Sequence, residues 1–261
     1  MSEAAETFSE DTLLGGRVRF RQPQRGERAS IDPVLLAAAV PAAEGDSVID
    51  VGCGSGAASL CLAARLPSVR VTGIDRERHL VRLAGDNILL NGMGQRVSAM
   101  TGDLLHPPPR LEPGTFAHAM ANPPFLEEGR ATPSPDPGKA GARIEGAADL
   151  GAWIRFAVAM VRAKGTITLI HRADRLEQVL TRLVGLVGEI VIFPLWPGTG
   201  KPARRIIVRA RKGVATPTRL MPGLVLHESG GRYTAAADAV LREAAALALD
   251  DAPATPHLSS P

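Results

Sequence analysis

Apolar positions along the chain follow two rhythms. Short apolar runs recur at 47–51, 69–75, 96–100, 116–121, 165–170, 189–193 and 205–211. The runs at 47–51 and 116–121 are nearly continuous, which suits central parallel strands covered on both faces. Between the runs lie stretches of helical spacing at 31–40, 57–66, 76–91, 149–163, 173–187 and 235–249. Strand and helix therefore alternate, the pattern of an α/β fold. The ends read differently. Residues 1–12 look frayed, and 251–261 form a tail. From Arg17 to Arg21 charge and apolarity alternate, so this is a half-buried strand with Arg17, Arg19 and Arg21 on one face. Residues 24–27 turn the chain back toward 28–30, making a hairpin. A second hairpin is expected where 224–227 and 232–234 flank Gly230-Gly231. In the 31–40 helix, Asp32 is a natural N-cap ahead of Pro33, and cofactor contact is the other reading of that acid. No internal repeat is visible.

The most informative stretch is Asp50-Val51-Gly52-Cys53-Gly54-Ser55-Gly56. It follows the first apolar strand and opens the 57–66 helix. Glycines at alternate positions let the backbone bend and let a ligand touch it without Cβ interference, and the helix points free N–H groups into the turn. Gly52-x-Gly54-x-x-Ala57 also satisfies the dinucleotide fingerprint. Asp50 argues against that reading, because a carboxylate beside a pyrophosphate repels it. The same acid suits the ammonium of an amino-acid moiety, held directly or through water. Asp75 ends the next strand, about 20 residues on, where α/β folds place an acid for ribose hydroxyls. Capping the 76–91 helix is the competing role. Asp103 in Thr101-Gly102-Asp103-Leu104 is placed either to accept from an adenine amino group or simply to close a local turn.

The second anchor is Asn122-Pro123-Pro124-Phe125, at the end of the 116–121 strand. Two prolines in series freeze a loop at a strand's carboxyl end, where α/β folds place their sites. The loop presents an amide, a fixed carbonyl and an aromatic face. Such a set suits an exocyclic amine on a planar base: the Asn122 oxygen and the Pro123 carbonyl accept its two N–H bonds, and Phe125 stacks on the ring. A rigid turn is the bland alternative. Residues 126–148 then form a long loop rich in Gly and Pro, made basic by Arg130, Lys139 and Arg143 and placed to act as a substrate lid.

Composition narrows the classes. In 261 residues there are only two cysteines, Cys53 and Cys61, and six scattered histidines, so neither a disulfide framework nor a metal site is expected. No apolar run is long enough to cross a bilayer. The acidic first residues are neither signal nor transit peptide, so a cytoplasmic location is expected. A net charge of +3 is too mild to identify a nucleic-acid partner by itself. The clustering of cations is more telling, at 17–21 and at Lys201, Arg204, Arg205, Arg209, Arg211 and Lys212. The first cluster is either a solvated edge guarded by charge or a phosphate-facing surface.

With both motifs in place, the chain resembles the class I S-adenosylmethionine (AdoMet) methyltransferases of the Asn-Pro-Pro-(Phe/Tyr) amino-group type. Within these it looks most like the bacterial tRNA1(Val) adenine-37 N6-methyltransferase family, over roughly residues 13–249. The segments Leu14-Gly15-Gly16-Arg17-Val18 and Ile31-Asp32-Pro33-Val34-Leu35-Leu36 carry the likeness along with the two motifs and the loop at 132–139. The resemblance implies a Rossmann-like, seven-stranded mixed sheet in the order 3-2-1-4-5-7-6, its last strand antiparallel, with an N-terminal hairpin. It divides the chain into a hairpin and helix extension (1–46), a methyltransferase domain (47–250) and the tail. It implies AdoMet against Asp50, Gly52, Cys53, Gly54, Ser55, Gly56, Asp75, Arg76, Asp103, Leu104 and Asn122. It implies a target amine at Asn122, Pro123, Pro124 and Phe125, with RNA along Arg17, Arg19, Arg21, Arg130 and Lys139. The expected partner is RNA, above all a tRNA anticodon loop, because RNA is read through splayed-out bases. A monomer without metal is expected. The same tetrapeptide also serves rRNA bases and glutamine side chains in related enzymes, so another amine is the alternative substrate. A non-catalytic or NAD-type nucleotide-binding domain is the alternative from a different class.

Overall fold

A computed structural model describes residues 8–24, 30–124 and 148–250. Eleven strands and six helices are defined there. β1 (Phe8–Leu13) and β2 (Val18–Pro23) form a two-stranded antiparallel unit. The others follow in chain order: α1 (Asp32–Ala39), β3 (Ser47–Val51), α2 (Ala57–Arg65), β4 (Arg70–Asp75), α3 (Arg78–Leu90), β5 (Val97–Thr101) and β6 (Phe116–Ala121). After them come α4 (Leu150–Met160), β7 (Val161–Arg172), α5 (Leu176–Leu183), β8 (Val187–Gly198), β9 (Arg205–Lys212), β10 (Arg219–Leu220), β11 (Leu224–His227) and α6 (Ala235–Glu243).

The main sheet has nine strands, and its long strands run β5-β4-β3-β6-β7-β9-β8. Counted from the glycine turn this is the expected 3-2-1-4-5-7-6, with β9 antiparallel to both β7 and β8. Apolar side chains alternate between two cores. Val48 joins one core with α1, α2, α6 and the hairpin residues Val18 and Phe20, while Ile49 and Val51 face the other with α4 and α5. That two-sided burial is why the strands read as continuous apolar runs.

Several expectations are corrected. The stretch read as frayed contains β1, which pairs antiparallel with β2. Residues 25–29 lie outside the described residues. The 224–234 segment is not a hairpin. β10 and β11 both add to β8 in parallel, extending the sheet, and the antiparallel contact within the segment is limited to a bridge between His227 and Tyr233. The closing helix stops at Glu243, where Ala244 takes a left-handed conformation. The 173–187 helix splits into a 3-10 turn and α5, and β8 begins at Val187. Asp32 is not the N-cap of α1. The Ser30 hydroxyl takes the Asp32 N–H at 3.2 Å, and the Asp32 carboxylate pairs with Arg205 across the strand ends at 3.0 Å.

The hairpin is fastened by α3 in an unusual way. Asn87 and Asn91, one helical turn apart, act as a surrogate strand against β2. The Asn91 amide exchanges bonds of 2.9 and 2.7 Å with the N–H and C=O of Arg19. The Asn87 amide does the same with Arg21 at 2.8 and 2.9 Å. Asn87 is completely buried and also donates to the Ser55 carbonyl at 3.0 Å, so the hairpin and the glycine turn share one side chain.

Candidate active site at the carboxyl strand ends

Strand register assembles the site. Val51 of β3 pairs with Ile74 of β4 on one side and with Ala121 of β6 on the other, and Asp75 pairs with Thr101. One residue beyond those pairs stand Gly52, Asp75 and Asn122. The glycine turn and the Asn-Pro-Pro loop are therefore neighbours, one strand spacing or about 4.8 Å apart at the backbone. The structure brings Asp50, the glycine turn, Asp75, the Asp103 turn and Asn122–Pro124 to one edge. Phe125, Arg130 and Lys139 lie outside the described residues.

The turn itself is tightly determined. Gly52, Gly54 and Gly56 take φ values of 70, 53 and 90°. A Cβ on Gly52 would overlap the tip of the Trp153 ring, which reaches over from α4, whereas nothing lies within 4 Å of the corresponding position on Gly54. The turn is thus walled at Gly52 and open at Gly54. Asp75 holds it from the side: one carboxylate oxygen accepts the Gly54 N–H at 2.8 Å and the other the Glu77 N–H at 2.9 Å. Each oxygen keeps a further lone pair. Asp75 does not cap a helix starting at residue 76, since α3 begins at Arg78. Its pKa is raised, chiefly by burial.

Asp50 points to the α2 face and is 2% exposed, its carboxylate taking the Ser59 hydroxyl at 2.6 Å. Burial, with a smaller contribution from the charge of Asp75, pushes its pKa up to about 7. A buried acid in that state is stabilised by a nearby cation and destabilised by an anion. Two acids at neighbouring strand ends beside an open glycine suit an ammonium- and sulfonium-bearing ligand and oppose a pyrophosphate. Cys53 is buried and its thiol is pushed well above its ordinary pKa, so it offers no nucleophile. Its sulfur packs where a side chain on Gly73 would sit. Arg76 pairs with Glu77 at 3.1 Å. Asp103 is half-exposed and engaged locally, with the His106 ring and the Leu105 N–H each at 3.0 Å. His106 first, then that N–H, holds its carboxyl below the usual range. Leu104 is partly buried against the α4 core.

The arginine stripe has a different character from the one expected. Arg17 lies in the turn before β2, and its guanidinium binds the carbonyls of Leu14 and Arg242. Arg19 and Arg21 share Glu10 of β1 at 2.6 and 3.4 Å. The pairing partner belongs to the segment read as frayed, so the sequence pattern showed the cations without their counter-ion. In the second cluster Arg205 pairs with Asp32, Arg209 with Asp250 and Arg211 with Glu189, and the Lys212 ammonium donates to the Val161 carbonyl.

Sequence reasoning missed Ser59, Asn87, Trp153 and His171 as parts of this region. His171, next to last in β7, is 2% exposed, and neither ring nitrogen completes a hydrogen bond. Burial, aided by the charge of Arg175, lowers its pKa to about 4, while the backbone of Arg172 and Pro124 pulls weakly the other way. It is neutral beside the Asn-Pro-Pro loop. Only Ser59 had a local signal, as a hydroxyl facing back from the helix that follows the turn.

Comparison with known proteins agrees with the geometry. Residues 29–134 match the family model of the methyltransferase small domain. The chain is 26% identical over 230 residues to proteins of Yersinia pestis and Yersinia pseudotuberculosis named tRNA1(Val) (adenine(37)-N6)-methyltransferase, covering 85% of this chain and 90% of each of those. Among solved structures it is similar to a predicted O-methyltransferase from Agrobacterium tumefaciens, with a TM-score of 0.70, 25% identity, and coverage of 84% of this chain and all of that one. A Thermotoga maritima O-methyltransferase shares the fold at a TM-score of 0.53 and 17% identity, covering 74% of this chain and 69% of its own. The family-model match and the shared fold support an S-adenosylmethionine-dependent methyltransferase, with S-adenosylmethionine as its cofactor. Among the described residues no helix is long and apolar enough to cross a membrane, and no group of acids, histidines and cysteines is arranged to hold a metal.

Proposed function

We propose that this chain methylates the exocyclic N6 amine of an adenine in RNA, with a tRNA anticodon-loop adenosine as the favoured substrate. The observation that carries the reading is the register that sets Asn122-Pro123-Pro124 beside the glycine turn. Asp50, Asp75 and the Gly52–Gly56 backbone would hold the cofactor. When bound, S-adenosylmethionine supplies an activated sulfonium methyl group. The chain's own task is then positioning. The Asn122 amide oxygen and the Pro123 carbonyl accept the two amine hydrogens. That draws the nitrogen lone pair out of conjugation with the ring and points it at the donor side. The proton shed after transfer leaves to solvent, because the transient ammonium is strongly acidic, and no strong base is required. The name carried by the Yersinia relatives favours adenine in tRNA over other amines.

Asn122→Ala tests this. The variant is expected to bind S-adenosylmethionine within about twofold of the unmodified protein and to lose methyl transfer to unmodified tRNA by at least about a hundredfold. Full turnover in the variant would remove the amide from the chemistry. Mass mapping of modified nucleosides in a strain lacking the gene would identify the RNA and the base.

A further inference from the structure

The cations of the hairpin and of β9 are consumed by pairing, but two others nearby are not. Lys201 and Arg204, in the loop joining β8 to β9, are exposed and have no acidic partner among the described residues. Lys201 lines a shallow, open groove of about 520 Å³ together with Trp196, Gly198, Pro202 and Val225, and Arg204 follows in the same loop, two residues after Pro202. Trp196 forms its wall, and the indole N–H donates to the Pro222 carbonyl at 2.9 Å, which fixes the ring plane. A rigid aromatic face next to unpaired cations is the composition of a single-stranded nucleic-acid site: bases stack on the ring and phosphates meet the charges.

Register places this groove relative to the proposed amine site. Ala121, just before Asn122, pairs with Leu169 of β7. Three residues on, Arg172 pairs with Arg205 of β9, and Arg205 pairs with Leu195 of β8. β8 runs parallel to β7, so Trp196, near the end of β8 and paired with Val225 of β11, lies toward the same edge as the Asn-Pro-Pro loop. The two are three strand spacings apart across the sheet, about 14 Å, and three residues apart along it, about 10 Å, which is roughly 17 Å in all. A few extended nucleotides span that distance. Glu10, by contrast, screens the hairpin arginines that composition alone made the obvious phosphate site.

We propose that the Trp196 groove binds a nucleotide of the substrate RNA flanking the methylated adenosine, the base stacked on Trp196 and the backbone phosphates held by Lys201 and Arg204. The proposal rests on the RNA reading given above. The test uses the full chain and an anticodon stem–loop RNA with an adenosine 3′ of the anticodon. Binding is measured across a salt series, and methyl transfer at steady state. Lys201→Glu combined with Arg204→Glu is expected to weaken RNA binding about tenfold or more and to flatten the log–log salt slope by roughly 1.5. Trp196→Ala is expected to cost about tenfold, with Trp196→Phe retaining most affinity. Affinity for S-adenosylmethionine and kcat at saturating RNA stay within about twofold, which separates docking from catalysis. The charge reversals lie at exposed positions and carry the test even if Trp196→Ala lowers stability. If the unmodified protein methylates the RNA and the double reversal leaves affinity and salt slope unchanged, the groove is not the docking site. If the unmodified protein binds S-adenosylmethionine but neither binds nor methylates the RNA, the RNA reading fails and the groove fails with it.

Discussion

Replacing Asn87 by alanine isolates the joint between the hairpin and the glycine turn. The side chain makes three hydrogen bonds, with the N–H and C=O of Arg21 and the C=O of Ser55, and it has no contact with water. Each bond contributes about 1 kcal/mol net. Truncation also strands three backbone groups in a space water does not reach, so the total loss is roughly 3–4 kcal/mol. For a chain of this size that lowers Tm by about 10 °C. Asn91→Ala is the control. It removes the matching bonds to Arg19, but at a half-exposed position where water replaces them, and should cost about 1 kcal/mol or less. Alanine at 87, inside α3, regains about 0.5 kcal/mol of helix propensity, whereas position 91 is the C-cap beyond the helix, so the difference between the variants understates the cost at 87 by about that amount. Urea unfolding gives the energies, and hydrogen exchange at the Arg19 and Arg21 amides reports detachment of β2. Because Asn87 also holds the Ser55 carbonyl, its variant should bind S-adenosylmethionine more weakly while the control does not. Equal stability losses in the two variants would refute the claim that burial sets the cost.

Three further outcomes follow from the same geometry. Asp50 has a pKa of about 7 in the folded protein against 3.8 in the unfolded chain, so between those values the folded state keeps a proton the unfolded state has lost. Its contribution to stability therefore falls as pH rises through that window and is level above it. An ammonium near Asp50 would draw the pKa down, so binding of S-adenosylmethionine should weaken below pH 7 and release about half a proton at pH 7, seen by calorimetry in buffers of different ionisation enthalpy. Release that persists in Asp50→Asn would assign the proton elsewhere. Gly52→Ala should destabilise by about 2–4 kcal/mol, from the Trp153 overlap and the positive φ together, and Trp153→Leu should recover part of that in a double-mutant cycle. Purely additive effects would mean the ring is not the obstacle. Glu10→Gln frees Arg19 and Arg21, so RNA affinity should rise about threefold with a steeper salt slope. No change would show that the hairpin face never meets phosphate.

The sequence by itself determined the strand–helix alternation, the glycine turn and the Asn-Pro-Pro loop. These depend on local rules: apolar periodicity for two-sided burial, glycine for positive φ, and proline for a frozen turn. Because each motif ends a strand, their shared edge was implicit in a parallel sheet. Tertiary structure alone decided which charges were spent. Glu10 answers Arg19 and Arg21 across the hairpin, and Asp32 answers Arg205 from 173 residues away. It also decided that β11 joins β8 rather than folding back, that Trp153 walls the turn, and that Asn87 ties it to β2. Such contacts join segments distant along the chain, and a carboxylate or an amide carries no local mark of the group it will meet. Short-range propensity is written in neighbouring residues, whereas pairing and burial are properties of the packed whole.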